Sequence, residues 1–167
     1  MKAVDIAYIA GIVDGEGYIG IKKTSAYKCQ DRVNNGYHAR IQIRMVDEQA
    51  IKFISETLGG WYHKEKQMVR QRRPLYCFYA SDKAAEIVLK TILPFLRVKK
   101  KSAETVLALR RIQSDSRKHR TKITGYRQFP NQYGTARMVA NLAFSDEYMQ
   151  SVHSLYEKCK ALNKTGA

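Results

Sequence analysis

Residues 8–17 read YIAGIVDGEG, a short apolar segment that ends on two carboxylates and two glycines. Its small residues and its first acid recur three or four positions apart, so a helix would place them on one face. These residues are Ala7, Ala10, Gly11 and Asp14. Side chains this small would let a second helix approach closely. The closing glycines are expected to end the helix, because glycine adopts backbone conformations that other residues resist.

The two carboxylates, Asp14 and Glu16, stand where a helix C-terminus already carries partial negative charge. An acid there costs ~0.3–1 kcal/mol. A divalent cation bound at the same point would remove this repulsion, since carboxylate and carbonyl oxygens are its usual ligands. The segment therefore predicts a functional helix end. A buried helix followed by an Asp-Gly turn is the plain structural alternative.

Residues 9–17 resemble the motif of the LAGLIDADG homing endonucleases in their helix, paired acids and closing glycine. Glu16 stands where that family most often has Asp, and it keeps the carboxylate. The resemblance covers roughly residues 5–162 of a single domain over 1–167. Because the chain has one copy of the motif, the resemblance implies a homodimer whose motif helices pack together. The interface residues would be Ala7, Ala10, Gly11 and Asp14.

The charge balance predicts a polyanionic partner. Lys and Arg number 30 against 15 Asp and Glu, a net charge of +15. No apolar run approaches the roughly 18 residues of a membrane span, and no signal peptide is visible, so nucleic acid is favoured over a membrane. A basic protein of ribosomal type would carry the same charge, and it is the family resemblance that implies double-stranded DNA. The three cysteines form no disulfide framework and no zinc spacing with the four histidines. They predict reduced thiols in an intracellular protein, with Cys77 in the core. The family resemblance implies a protein that acts at DNA in an organellar, prokaryotic or archaeal host.

Hydrophobic periodicity predicts the order helix, hairpin, helix, hairpin, then helices. Strands follow Gly17 and the Asn35-Gly36 turn signal, and a second hairpin is expected over 61–69 and 75–80. Helices are expected over 48–58, 81–93, 98–112 and 145–162, with a loop over 125–134. The pattern predicts an α/β (α+β) fold of αββαββα type, a four-stranded antiparallel sheet with helices on one face. The family resemblance adds a saddle shape to that sheet.

The uncovered sheet face is expected to read DNA, because Arg and Gln can bond base edges and hairpin ribbons fit the major groove. Candidate DNA-binding residues are Lys22, Thr24, Arg40, Gln42, Lys64, Lys66, Arg70, Arg72, Tyr76 and Phe78. Strand register decides whether Tyr76 and Phe78 belong to this face or to the core. Lys100 and Lys101 are expected to contact backbone phosphates.

The resemblance also implies the catalytic residues. Glu16 would bind the metal with the Gly15 carbonyl as a second ligand; the ion would be Mg²⁺, with Mn²⁺ or Ca²⁺ able to occupy the site. Lys99, after the Pro94-Phe95-Leu96 turn, would either stabilise charge on the phosphate or only contact it. Arg44 stands near the position where the family often has an amide. Asp14 is expected to be structural rather than catalytic.

By resemblance, the chain is an intron-encoded site-specific endonuclease that cuts both strands of a long pseudo-palindromic DNA site. One carboxylate per chain cannot hold a pair of ions, so two protomers would share the centre. The alternatives are a non-cleaving maturase that binds intron RNA on the same fold, and a metal-independent DNA-binding repressor.

Overall fold

Helices and β-hairpins alternate along the chain, as the sequence predicts, and one further hairpin precedes the last helix. The computed structural model describes residues 2–25, 35–66, 73–130 and 136–165. None of the helices in these ranges is both long enough and apolar enough to cross a membrane. The elements in chain order are α1 (Ala3–Glu16), β1 (Gly17–Thr24), β2 (Gly36–Met45), α2 (Glu48–Leu58), β3 (Trp61–Lys64), β4 (Tyr76–Ser81), α3 (Asp82–Ile92), α4 (Lys100–Ser114), β5 (Arg120–Pro130), β6 (Ala136–Phe144) and α5 (Asp146–Thr165).

The first four strands form one antiparallel sheet in the order β1-β2-β4-β3. The second strands of the two hairpins are therefore neighbours at its centre, where Ile43 pairs with Phe78. Successive side chains of a strand point to opposite faces, so Ile19, Ile41 and Phe78 share the face that the helices cover. All are fully buried. This arrangement confirms the predicted α+β fold class.

Side chains at the helix starts explain where the helices begin. Asp47 accepts a hydrogen bond from the Ala50 backbone N–H at 3.0 Å, so α2 begins at Glu48 as predicted. Ser81 makes no such cap for α3. Asp82 instead adopts a left-handed φ of 47°, and its carboxylate accepts the Ala39 N–H at 3.2 Å. The start of α3 is thereby tied to β2.

The stretch predicted as a loop, residues 125–134, contains strand instead. β5 continues to Pro130 and pairs with β6, while residues 131–135 lie outside the described residues. Gly125 has a φ of 156° and sits at a register shift after Ile123, so it marks a β-bulge. The loop prediction for residues 125–130 is therefore wrong, because the glycine interrupts the pairing without ending the strand.

The last helix packs along the first strand. Ser145 caps α5 by accepting the Tyr148 N–H at 3.3 Å, as predicted. The Asn163 Nδ2 donates to the Ile19 carbonyl at 3.0 Å. Val152 and Cys159 are buried on the face between these two bonds, so α5 closes the core beside β1.

Candidate active site and nucleic-acid interface

The first helix ends at Glu16, and the sheet begins at the next residue. Glu16 is exposed, whereas Gly17 is buried in extended backbone with φ −79°. A Cβ at Gly17 would lie 2.7 Å from the Val13 carbonyl oxygen, closer than real Cβ contacts. Glycine is thus needed here for space. Neither closing glycine uses the left-handed backbone that glycine permits, because the positive-φ glycines in the described ranges are at positions 59, 60 and 125.

Asp14 anchors the segment between α3 and α4. One carboxylate oxygen accepts the Arg97 N–H at 2.8 Å and the other accepts the Lys99 N–H at 2.9 Å. Burial alone would raise the pKa of Asp14, but these backbone donors, that of Val98 and the Lys99 charge hold it below its ordinary value. Both oxygens are engaged within the chain, which matches the structural role that the sequence favours.

Lys99 lies at the carboxyl end of α1. Its Nζ donates to the Val13 carbonyl at 2.9 Å and to the Asp14 carbonyl at 2.7 Å. Burial lowers the pKa of Lys99, while the charges of Asp14 and Glu16 act to raise it. A cation at this point offsets the negative end of the helix dipole. The ammonium therefore supports the backbone that carries Glu16, and its positive charge lies near that carboxylate.

An open groove of about 460 Å³ joins Glu16 to the uncovered face of the sheet. Its lining residues are Glu16, Tyr18, Lys22, Arg40, Gln42 and Arg44. Three cations and an amide predicted from the sequence therefore surround the candidate catalytic carboxylate. Thr24 shares their face two pairings beyond Lys22 and His38, at the outer end of β1. Tyr18 was missed as a site residue, although strand alternation with Lys22 could have identified it.

The polar side chains of β2 are held by neighbours on the same face. The Arg40 guanidinium lies 4.9 Å from the Tyr79 ring centroid, and its buried Nε has no hydrogen-bond partner among the described residues. The Gln42 Nε2 donates to the Cys77 Sγ at 3.1 Å. The Arg44 Nε pairs with a Glu65 carboxylate oxygen at 2.7 Å. Both Gln42 and Arg44 thus line the groove beside Glu16.

The second hairpin lies one residue out of the predicted register. Tyr76 and Phe78 are on the helix-covered face, and Phe78 is 0% exposed, so their assignment to DNA binding is wrong. Lys64 pairs with Tyr76 and is likewise not on the uncovered face, although it is exposed at the sheet edge. The uncovered face instead carries Trp61 and His63. Lys66 is exposed beyond β3, whereas positions 70 and 72 are outside the described residues.

Cys77 is buried as predicted, but it lies on the other side of the sheet from the main core. It pairs with Arg44 and with His63, both on the uncovered face. Its exposed fraction of 1% arises from cover by side chains of that face. The register of β4, which sequence alternation does not reveal, explains this placement.

The exposed side of α1 is apolar. Val4 and Tyr8 are 77% and 57% exposed, and Ala7 and Gly11 lie beside them. A Cβ at Gly11 or Gly15 would meet nothing within 4 Å. Ala10, predicted for the same face, is 0% exposed in the core of its own chain, so its assignment to a dimer interface is wrong. The helix turns Ala10 inward because it shares the buried stripe of Ile6, Ile9 and Val13.

The two lysines at the start of α4 remain candidates for phosphate contact. Lys100 and Lys101 are exposed, on the turn that follows Lys99. They extend the positive charge beyond the segment that Asp14 anchors.

Neither a protein-family profile nor a curated protein sequence matches the chain. Solved structures do match its fold. The homing endonuclease I-CvuI, crystallised in complex with DNA in the presence of Mg and of Ca, gives a TM-score of 0.66 at 15% and 16% identity, over 95% of this chain and 82% of that chain.

Two further structures agree. The archaeal intron-encoded homing endonuclease I-Vdi141I, complexed with DNA, gives a TM-score of 0.65 at 12% identity, over 95% of this chain and 84% of that chain. The LAGLIDADG homing endonuclease I-SmaMI, bound to cleaved DNA, gives 0.62 at 13% identity, over 90% of this chain and 42% of that chain. The chain therefore has the fold of the LAGLIDADG homing endonucleases, as residues 9–17 predict.

Proposed function

We propose that the chain is a homodimeric, metal-dependent homing endonuclease that cuts both strands of a long, roughly two-fold symmetric DNA site. The observation that carries this proposal is the position of Glu16, exposed at the end of α1 and at the edge of the groove lined by Lys22, Arg40 and Arg44. A protein that only binds nucleic acid has no need of a carboxylate at a helix C-terminus and among cations.

The residues around Glu16 fit a hard divalent cation. Glu16 offers a carboxylate, and Gly15 belongs to the helix turn whose carbonyls lack intrahelical partners. Lys99 takes the carbonyls of the two preceding residues, Val13 and Asp14. A bound Mg²⁺ would activate water and neutralise charge on the scissile phosphate. The presence of Mg or Ca in the I-CvuI complexes supports this choice of ion.

The exposed stripe of α1 supports a dimer. Val4, Ala7, Tyr8 and Gly11 present an apolar helix surface with open space at the glycine. Two such helices can pack closely about a two-fold axis, because no side chain at Gly11 keeps the backbones apart. Each protomer would then bring its own Glu16 next to the axis. A two-fold dimer matches a two-fold DNA site, with one sheet face on each half-site.

The uncovered sheet face supplies the DNA-binding surface in this proposal. Lys22 and Arg40 provide positive charge, Gln42 provides an amide for a base edge, and the net charge of +15 favours a polyanion. Contacts along the DNA backbone would be extended by Thr24, Lys66, Lys100 and Lys101.

Lys99 is proposed to act at the same centre as a positioning residue. Hydrolysis joins a water oxygen to phosphorus and breaks one backbone phosphorus–oxygen bond, so negative charge accumulates on the phosphate oxygens. The Lys99 ammonium holds the last turn of α1, and with it Glu16, in a fixed position. Its charge also favours the anionic transition state.

The test is a cleavage selection. A pool of randomised duplex DNA is incubated with the purified chain and Mg²⁺, and the cut ends are sequenced. The proposal predicts one long, approximately two-fold symmetric site, cut on both strands. Glu16→Gln should bind that site without cutting it, because Glu16 is exposed and its replacement leaves the core intact.

The alternative functions predicted from the sequence give different results in this selection and in binding assays. A maturase binds intron RNA in a filter assay and cuts no DNA. A repressor selects a DNA site by binding alone, with no effect of Mg²⁺. If the proposal is right, the selected site also matches the exon junction of an intron that contains the gene. Failure to cut any member of the pool refutes the proposed nuclease activity.

A further inference from the structure

Three potential metal ligands meet at the end of the second hairpin. The ligand atoms of His63, Glu65 and Cys77 all lie within 4.8 Å of one another. His63 and Cys77 are cross-strand partners of β3 and β4, so their side chains share a face. The Glu65 N–H donates to the Leu75 carbonyl at 2.8 Å, which extends the pairing past the end of β3. The cluster is thus fixed by strand register.

His63 lacks a polar partner in this cluster. Its Nδ1 is buried and makes no hydrogen bond within the described residues. A buried polar atom without a partner is destabilising, and a bound cation would remove that cost. An imidazole nitrogen, a thiolate sulfur and a carboxylate oxygen together are the ligand types of zinc. Sulfur and nitrogen donors disfavour Mg²⁺ and Ca²⁺.

Neighbouring side chains orient two of the three ligands. Gln42 donates to the Cys77 sulfur at 3.1 Å, and Arg44 pairs with one oxygen of Glu65 at 2.7 Å, which leaves its second oxygen for an ion. Such outer contacts are typical of metal sites.

We propose that His63, Glu65 and Cys77 bind one Zn²⁺ ion, with a fourth position open to water. The ion would join β3, an edge strand of four residues, to β4 on the uncovered face of the sheet. Cys77 would release its thiol proton to solvent on binding. None of the three ligands lines the Glu16 groove, although Gln42 and Arg44 contact both places, and the proposal does not depend on nuclease activity. The sequence conceals it, since the spacing is that of no zinc motif.

The test uses cobalt as a spectroscopic substitute for zinc. The chain has three cysteines, so the full-length double variant Cys29→Ser/Cys159→Ser leaves Cys77 as its only thiol. Titration with Co²⁺ should produce a thiolate-to-cobalt charge-transfer band that saturates at one ion per chain. Added Zn²⁺ should abolish the band by displacement. Absence of the band, with the protein folded by circular dichroism, overturns the proposal.

Substitution of each ligand then tests the assignment. His63→Ala should weaken Zn²⁺ binding by more than about tenfold, since even outer-shell changes cost 10- to 100-fold. Glu65→Gln keeps the size of a half-buried side chain and should weaken binding similarly without unfolding the chain. Glu56→Gln, an exposed change on α2, is the matched control and should leave affinity unchanged. Unaltered affinity in both ligand variants contradicts the assignment.

Discussion

Replacing Gly17 with alanine should destabilise the chain, because the added Cβ has nowhere to go. It would lie 2.7 Å from the Val13 carbonyl oxygen, 2.9 Å from the Val13 Cα and 3.1 Å from its Cγ1. Two of these atoms are backbone in the last turns of α1, and rotating a side chain cannot move them. Gly17 has φ −79°, which alanine adopts readily, so the cost arises from steric overlap alone.

The expected loss is about 1–3 kcal/mol, the usual cost of inserting a methyl group into closely packed surroundings. For a chain of 167 residues this corresponds to a fall in Tm of about 2–12 °C. Urea unfolding followed by circular dichroism, at a protein concentration held constant between variants, measures it. The same displacement moves Glu16, so the DNA cleavage rate should fall as well.

Gly20→Ala is the matched control in the same strand. The three heavy atoms nearest to its Cβ belong to the hydroxyl and ring of Tyr18, a side chain that can move because it lies on the uncovered face. We expect a loss smaller than about 1 kcal/mol, within the range of ordinary strand substitutions. Unchanged stability in Gly17→Ala, or a larger loss in Gly20→Ala, refutes the steric reasoning.

Three further predictions concern the anchor, the dimer and DNA binding. The folded-state pKa of Asp14 lies below the ordinary value of 3.8, so its stabilisation is present above that pH and is lost as pH falls through the folded-state value. Asp14→Asn should therefore reduce the loss of stability at acid pH, measured as the fall of the urea unfolding midpoint with decreasing pH. An unchanged dependence of the midpoint on pH contradicts this role. Gly11→Leu should weaken dimerisation by about tenfold or more in sedimentation while Glu56→Leu does not, and equal effects would exclude the α1 interface. Lys22→Ala should lower the slope of the logarithm of the DNA association constant against the logarithm of salt concentration by about 1, whereas Lys52→Ala on α2 should not. An unaltered slope in Lys22→Ala removes this residue from the DNA-binding surface.

The first hairpin was predictable because apolar and polar side chains alternate regularly along both of its strands. Isoleucines at positions 19, 21, 41 and 43 all fall on one face, and Lys22, Arg40 and Gln42 fall on the other. A one-residue slip would move every apolar side chain out of the core, so the register is strongly determined. The starts of the helices that follow Asp47 and Ser145 were equally predictable, since short polar side chains cap helices by a local interaction.

The second hairpin was not predictable from the same rule. Residues 76–80 are apolar on both faces, so alternation does not distinguish them, and β3 is only four residues long at the sheet edge. The register that buries Phe78 leaves Trp61 66% exposed, against the usual tendency of a large aromatic residue. The same register brings His63 and Cys77 together, a contact between strands that their spacing in the chain conceals.

The carboxyl end of α1 was predictable in its residues but not in its contacts. The motif at residues 9–17 pointed to Glu16 and the segment after Pro94 pointed to Lys99, yet the bonds from Lys99 to the carbonyls of Val13 and Asp14 span 86 and 85 positions of the chain. Such contacts depend on where the segment between α3 and α4 lies against the end of α1. They also show why an acid is tolerated at this helix end, since a lysine offsets the dipole together with any cation that Glu16 binds.

The most direct measurement concerns dimers that contain one wild-type protomer and one Glu16→Gln protomer. They are prepared with two different affinity tags and incubated with Mg²⁺ and a supercoiled plasmid that carries the selected site. If the two carboxylates form one shared centre, the mixed dimer fails to linearise the plasmid and leaves at most nicked circles. Linear product formed at the wild-type rate would contradict that centre.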